Sequence, residues 1–255
     1  MLVDERKQPR ITTSTVGISA LVMALTQAGS LNAADQARGS SVLPAVLGPG
    51  VPLPSADRMG DIAALSQPGQ LRQYQHSVYA LLKRRKLLAP ASGATLFALT
   101  LDGHECCASY KRRCERCLCR QVQTRQGEKT QYYHRLVLGQ LVCGRFCLPL
   151  DVELQQQGED EVACARRLLE RLCRSYPRAF DIVVVDSLYA GVPFIEYVRS
   201  LNKHVIVVVK DERRQVLDEI LRLSQLQPAQ MFDYQNVRRR VWDEPDLSAY
   251  WEGMR

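Results

Sequence analysis

The clearest alternation of apolar and polar positions lies after residue 90, where short β-branched runs predict a sheet. Residues 95–101 form an apolar run that predicts a buried strand, and Asp102-Gly103 after it predicts a turn. Two more strands are predicted over 132–143 and 146–154, joined at Gly144-Arg145 as in a hairpin. No helical segment follows the first strand, so the sheet is expected to begin with antiparallel strands.

Helices and strands alternate in the rest of this region. Apolar residues recur at helical spacing from about 159 to 175, and acidic residues fill the first turn, where negative charge suits the helix dipole. A β-branched strand over 181–185 ends at Asp186, a helix is predicted over 193–202, and a last strand is predicted over 204–209. This order predicts an α/β fold with a mixed sheet flanked by helices.

The region before residue 90 has a different pattern, with apolar residues at helical spacing over 15–27 and 70–88. Between these helices, residues 39–55 are rich in glycine, proline and serine and predict a loop. We therefore expect three parts: a mainly helical N-terminal region over 1–90, a sheet-containing core over 91–210 and a further segment over 211–255.

Composition and charge indicate which kinds of partner and which cellular compartment to expect. The chain has 255 residues, 46% of them hydrophobic, and a net charge of +7, which favours partners rich in phosphate. The most apolar early run, residues 16–25, is too short to cross a membrane, and the charged N-terminus lacks a signal-peptide pattern. We therefore expect a cytoplasmic protein without a membrane partner, whose nine cysteines are thiols or metal ligands and not disulfides.

Two acidic residues, Asp102 and Asp186, follow predicted buried strands directly. Side chains at strand ends are held rigidly beside the core, and carboxylates there can bind a pair of Mg²⁺ ions, which prefer oxygen ligands. Two such ions about 3.5–4 Å apart stabilise the attacking and leaving oxygens of a phosphodiester. The alternative is that Asp102-Gly103 is only a turn and Asp186 only a helix cap.

A cysteine-rich stretch over 106–120 provides a second candidate for metal binding. Cys114 and Cys117 have the spacing of half a zinc site, which needs four thiolate or imidazole ligands. A second pair at the same spacing is missing, but several further donors lie nearby in sequence or across the predicted hairpin: His104, Cys106, Cys107, Cys119 and His134. Free thiols in a basic loop are the alternative. The remaining cysteines, Cys143, Cys147, Cys164 and Cys173, fall in strand or helix patterns and are expected in the core.

Several segments in a consistent order resemble the cut-and-paste insertion-sequence transposases of bacteria, which belong to the DDE class. The most specific is Val-Val-Val-Asp-Ser-Leu-Tyr-Ala over 183–190, followed by Pro193-Phe194. The others cover most of the chain and lie at 53–57, 83–86, 102–105 with Ser109, 132–135, 148–151, 158–161 and 207–214.

The resemblance implies an RNase H-like fold, with one catalytic Asp on the first strand and another just after the fourth. Asp102 and Asp186 match those positions. It also implies Mg²⁺-dependent nicking and strand transfer on double-stranded DNA, at transposon ends and in the target, and leaves a homodimer open. Among the basic clusters, it favours DNA contact by Arg213, Arg214 and the run Arg238, Arg239 and Arg240.

The sequence departs from that family where a third carboxylate is expected, a Glu in the pattern Tyr-x2-Arg-x3-Glu-x6-Lys. Only Tyr110 and Tyr132 have an Arg three residues later, and neither has a Glu seven residues later. Residues 211–255 are similar to the start of an insertion that precedes this Glu. We therefore expect an incomplete catalytic set. Two other functions stay open: an inactive truncated transposase that inhibits by binding DNA or a partner, and an unrelated zinc-containing DNA-binding module.

Overall fold

The computed structural model describes eight stretches of the chain, residues 6–26, 30–36, 42–48, 50–65, 67–144, 146–209, 215–234 and 237–242. The chain divides into two compact units, residues 1–85 and 86–255. No helix among the described residues is both long and apolar enough to cross a membrane.

The first unit consists of helices in its described part: α1 (Thr13–Leu25), α2 (Leu31–Gln36), α3 (Val42–Leu47), α4 (Ala56–Leu65) and α5 (Pro68–Arg84). Its core is small, with Val16, Met59 and Ile62 buried together. Pro68 starts α5, where its missing N–H has no helical partner to lose. The expected loop over 39–55 is wrong for residues 42–47, which form α3.

The second unit contains a mixed sheet, as predicted. Its strands are β1 (Ala98–Ser109), β2 (Leu118–Thr124), β3 (Gly127–Cys143), β4 (Phe146–Leu154), β5 (Ile182–Asp186) and β6 (His204–Val208). The order is β2-β3-β1-β5-β6, and β4 also pairs with β3. β3 is antiparallel to β1, β2 and β4, whereas β1, β5 and β6 run parallel. Tyr132 on β3 pairs with both β1 and β2, so β2 and β4 share the edge of β3 opposite β1.

One face of this sheet is covered by helices α6 (Glu161–Ser175) and α7 (Val192–Ser200). We call it the helix-covered face. Asp160 caps α6 by accepting a hydrogen bond from the Ala163 N–H, which stabilises the first turn. The fully buried Leu172 of α6 packs on Gly139 of β3, where an added Cβ would lie 2.6 Å from the Leu172 side chain and 3.6 Å from that of Leu101. The apolar residues whose spacing predicted α6 are therefore the residues that the helix packs against the sheet.

The predicted turn at Asp102-Gly103 is wrong, because β1 continues through Ser109. Both residues are paired with β3, Asp102 opposite Leu138 and Gly103 opposite Val137. The glycine has a packing role: a Cβ at Gly103 would lie 2.1 Å from the Glu161 carboxylate. A bulge between Glu105 and Cys107 then shifts the register of the outer part of β1.

A hairpin that the sequence pattern did not predict extends the sheet beyond Tyr132. β2 pairs with the first half of β3, and Gly127 begins β3 with φ +100, a backbone conformation that favours glycine. Polar side chains fill most of both strands, which hides the two-residue alternation. Further along the chain, α8 (Gln215–Leu226) precedes a two-stranded hairpin of β7 (Gln230–Tyr234) and β8 (Val237–Val241).

Glu161 is a buried acid at the start of α6. Its side chain is 8% exposed, forms an ion pair with Arg135 at 2.8 Å and accepts a hydrogen bond from the Tyr189 hydroxyl at 2.9 Å. Burial raises the pKa of Tyr189, and the negative charge of Glu161 raises it further. The Tyr189 hydroxyl is therefore a fixed hydrogen-bond donor, and it ties the segment after β5 to α6.

We expect Gly103→Ala to lower the free energy of unfolding by about 1–3 kcal/mol, because the new methyl group displaces the Glu161 carboxylate from its partners. Urea unfolding measures this loss. Gly191→Ala is the matched control, since its Cβ would lie 3.8 Å from Pro193, an ordinary contact. Equal losses in the two variants would contradict the packing role of Gly103.

We expect Tyr189→Phe to lower the free energy of unfolding by about 1–2 kcal/mol, because a buried carboxylate oxygen loses its donor. Tyr197→Phe is the control, since its hydroxyl donates to the Arg166 carbonyl at a half-buried position and the loss should be smaller. In a Glu161→Gln background the effect of Tyr189→Phe should also shrink. Additive effects in this double-mutant cycle would show that the two side chains are not coupled.

Candidate functional site

The face of the sheet opposite α6 contains both predicted metal-binding aspartates, and we call it the carboxylate face. β1 and β5 pair in parallel with Thr100 opposite Val184. The paired residues end there, and the same register continued by two residues puts Asp102 level with Asp186. Neighbouring strands lie about 4.8 Å apart, and paired residues point to the same face.

Burial agrees with this assignment of faces. Leu101 and Val185, one residue before each aspartate, are buried at 3% exposure, whereas Asp102 and Asp186 are exposed. Side chains alternate between the two faces of a strand, so both aspartates point away from the helix-covered face. The structure therefore brings Asp102 and Asp186 together on one surface, although Asp102 lies inside a strand and not at its end.

Asp186 is also a helix cap. Its Oδ1 accepts a hydrogen bond from the Leu188 N–H at 2.9 Å, at the start of a 3₁₀ turn over Ser187–Tyr189. The capping alternative and the metal-binding interpretation are compatible, because the cap occupies one carboxylate oxygen. The cap fixes the orientation of the side chain, which is what a metal ligand on a strand end needs.

Glu161 does not join this pair. It lies over Gly103, and Gly103 and Asp102 are consecutive residues whose side-chain positions face opposite sides of β1. Among the described residues, no third Asp, Glu, His or Cys groups with Asp102 and Asp186 at metal-ligand distance. The sequence pattern assigned the acids at the start of α6 to the helix dipole and so missed the burial of Glu161.

Three of the candidate zinc ligands meet at the outer end of the sheet. Cys114 Sγ lies 3.3 Å from His134 Nε2, Cys117 Sγ lies 3.4 Å from the same nitrogen, and the two sulfurs are 3.6 Å apart. In the described part of the chain, this is the group of three or more potential ligands that converges within 4.8 Å. His104, Cys106, Cys107 and Cys119 are not members of that group.

A concave pocket of about 600 Å³ surrounds this cluster. Arg112 and Arg113 line it from the connection between β1 and β2, and Tyr132 and His134 line it from β3. The Arg113 guanidinium lies 5.9 Å from the centre of the Tyr132 ring, within the range of a cation–π contact. Basic side chains and the three candidate metal ligands therefore line one depression.

The other cysteines follow the core prediction in part. Cys143 and Cys164 are buried, and burial raises the pKa of both thiols. Cys173 is half-buried, but Cys147 is exposed, so the core prediction is wrong for that residue. Cys147 lies in β4, which pairs with β3 alone and thus forms an edge of the sheet at this position.

The predicted DNA-binding arginines are described only in part. Arg238, Arg239 and Arg240 form consecutive exposed residues of β8, and Arg240 lies 5.5 Å from the Trp242 ring. Arg213 and Arg214 lie outside the described residues. The structure thus gives an exposed basic strand for the first group and no information on the second.

Comparisons with known proteins give one distant likeness. No family model matches the chain, and no curated protein matches it. Among solved structures, a chain from a piggyBac transposase synaptic complex with hairpin DNA is similar, with a TM-score of 0.40 and 11% sequence identity. The match covers 90% of this chain and 50% of that one, so this chain spans about half the length of its structural neighbour.

Proposed function

We propose that this protein is a DDE-class transposase of a bacterial insertion sequence, with an RNase H-like domain that acts on double-stranded DNA. The observation that carries the proposal is the level placement of Asp102 and Asp186 on neighbouring parallel strands of one exposed face. The strand pattern and the motif resemblance both select these two residues, and the parallel pairing of β1 with β5 supports their proximity.

The strand order supports the RNase H-like part of the proposal. If the β2 hairpin is an addition, then β1, β3, β4 and β5 are the first four strands, and Asp186 ends the fourth. The resemblance expects the catalytic aspartates on the first strand and just after the fourth. The antiparallel start and the parallel β5 and β6 are compatible with such a sheet.

The donor chemistry fits Mg²⁺, since two exposed carboxylates on rigid strands offer the hard oxygen ligands that this ion prefers. When bound, Mg²⁺ would activate the nucleophile and stabilise negative charge on the attacking and leaving oxygens. Asp102 would offer its carboxylate oxygens from within β1, where it is paired with Leu138 of β3. Asp186 would present its carboxylate in an orientation fixed by the cap to Leu188.

Contact with DNA would use exposed basic side chains. The Arg238–Arg240 run on β8 and residues 111–113 beside the pocket are exposed in the structure, and phosphates bind such groups in a salt-dependent way. Arg213 and Arg214 belong to the proposal on the resemblance alone. A homodimer is part of the same proposal.

A second function is favoured by one observation: no described residue adds a third carboxylate to Asp102 and Asp186, and Glu161 lies on the opposite face. A protein with two carboxylates can bind DNA and a protein partner without cutting. The second proposal is therefore an inactive transposase that inhibits transposition. Both functions predict the same fold and the same DNA surface.

We expect Mn²⁺, a paramagnetic substitute for Mg²⁺, to bind on the carboxylate face, and Asp102→Asn or Asp186→Asn to weaken its binding at least about tenfold. Water-proton relaxation measures the affinity. Glu196→Gln, an exposed acid on α7, is the control and should not change it. Equal Mn²⁺ affinity in the wild type and both aspartate variants would overturn the metal site.

Nicking of a plasmid that carries insertion-sequence ends separates the two functions. Mg²⁺-dependent nicking that disappears in Asp102→Asn supports the transposase. Salt-sensitive DNA binding without nicking by the wild type, in a protein that binds Mn²⁺ at these aspartates, supports the inhibitor. Nicking that persists in both aspartate variants would contradict catalysis at this pair.

A further inference from the structure

The Cys114, Cys117 and His134 cluster has the dimensions of an assembled metal site. Zn²⁺ binds thiolate at about 2.3 Å and imidazole at about 2.0–2.1 Å, so ligands at tetrahedral corners are separated by about 3.8 Å between sulfurs and about 3.6 Å between sulfur and nitrogen. The observed separations are 3.6 Å between the sulfurs, and 3.3 and 3.4 Å from them to His134 Nε2. One ion at the centre is thus within bonding distance of all three atoms after small movements.

Two separate parts of the chain hold these ligands in place. The Cys114-x2-Cys117 segment is a turn closed by a hydrogen bond from the Cys117 N–H to the Cys114 carbonyl. The Cys114 N–H donates a hydrogen bond to Cys117 Sγ, 3.1 Å away. His134 lies in β3 and is fixed by its pairing with β1. The site therefore joins a loop to the sheet.

Cys107 is placed to supply a fourth ligand. It is the cross-strand partner of His134, and paired residues point to the same face with Cβ atoms about 4.5–5.5 Å apart. The bulge between Glu105 and Cys107 creates this pairing, because it leaves Cys106 out of the register. Cys107 also lines the pocket that surrounds the cluster. Its sulfur lies outside the group of three, so zinc binding requires a change of its side-chain rotamer.

We infer that Cys114, Cys117 and His134, with Cys107 as the fourth ligand, bind one structural Zn²⁺. Four protein ligands make a closed tetrahedral site, which suits a structural ion and not a catalytic one. The ion holds the connection between β1 and β2 against the sheet. That connection includes the basic residues 111–113, which zinc thereby fixes beside the pocket.

The zinc site lies on the carboxylate face. His134 and Leu138 point to the same side of β3, and Leu138 is paired with Asp102. His134 and Leu138 are four residue steps apart along the strand, a distance of about 13 Å. The idea that zinc presents residues 111–113 to DNA near Asp102 rests on the proposed function. The zinc site itself does not depend on that function.

Zinc content of the purified full chain tests the site. We expect about one Zn²⁺ per chain by mass spectrometry, and at least a tenfold loss of zinc affinity in Cys114→Ser, Cys117→Ser and His134→Ala. Cys147→Ser, an exposed cysteine on β4, is the matched control and should keep its zinc. The proposal is overturned if the reduced wild-type protein takes up no Zn²⁺. It is also overturned if the purified protein contains a Cys114–Cys117 disulfide and binds no Zn²⁺ once that disulfide is reduced.

Co²⁺ substitution tests the ligand set by a second measurement, the visible absorption spectrum of the bound ion. We expect the visible absorption of tetrahedral Co²⁺, with a thiolate charge-transfer band that falls by about one third in Cys107→Ser, from three thiolates to two. An unchanged band in Cys107→Ser overturns the assignment of Cys107. An octahedral Co²⁺ spectrum in the wild type overturns the closed site.

Limited trypsin digestion tests the role of the ion in the loop. Residues 111–113 and Arg116 are exposed cleavage sites in the connection. We expect zinc to slow cleavage there at least tenfold and chelation to restore it, while cleavage at Arg178 stays unchanged as an internal control. Equal cleavage with and without zinc contradicts the structural role. This result is independent of nicking activity, so the zinc site and the transposase proposal can fail separately.

Discussion

The pairing of β1 with both of its neighbours is the constraint on which the rest of the second unit depends. β1 is antiparallel to β3 on one edge and parallel to β5 on the other, so it joins the two halves of the mixed sheet. The length of β1 is as important for the site as its central position in the sheet. Because β1 runs on through Ser109, one strand reaches from the aspartates to the cysteine cluster.

The two faces of the sheet differ in burial. On the helix-covered face, fully buried Leu99, Val137 and Val183 pack under helices, and Gly103 leaves room for the Glu161 carboxylate. On the carboxylate face, Asp102 and Asp186 are exposed beside exposed apolar residues such as Ile206 and Val208. Burial of apolar side chains therefore stabilises the sheet mainly from the helix-covered face, and the carboxylate face stays exposed.

Burial also sorts the acidic residues by role. Glu161 is neutralised by Arg135 and held by Tyr189, so its charge serves to join α6, β3 and the turn after β5. Asp102 and Asp186 are exposed on the other face, and they are the carboxylates to which the proposed function assigns metal binding. Residue type alone does not separate these roles, because all three are acids near the ends of predicted elements.

The sequence by itself determined the mixed sheet, α6 and most strands, because apolar runs and helical spacing record which residues are buried. It did not determine the extent of β1 or the existence of β2, since polar strands at an edge lack that alternation and Asp102-Gly103 has the composition of a turn. The spacing of Cys114 and Cys117 is a local feature that the sequence shows, but their contact with His134 depends on the register of the strands. Tertiary structure alone decided which face each acid occupies, because a shift of one residue along a strand reverses the face.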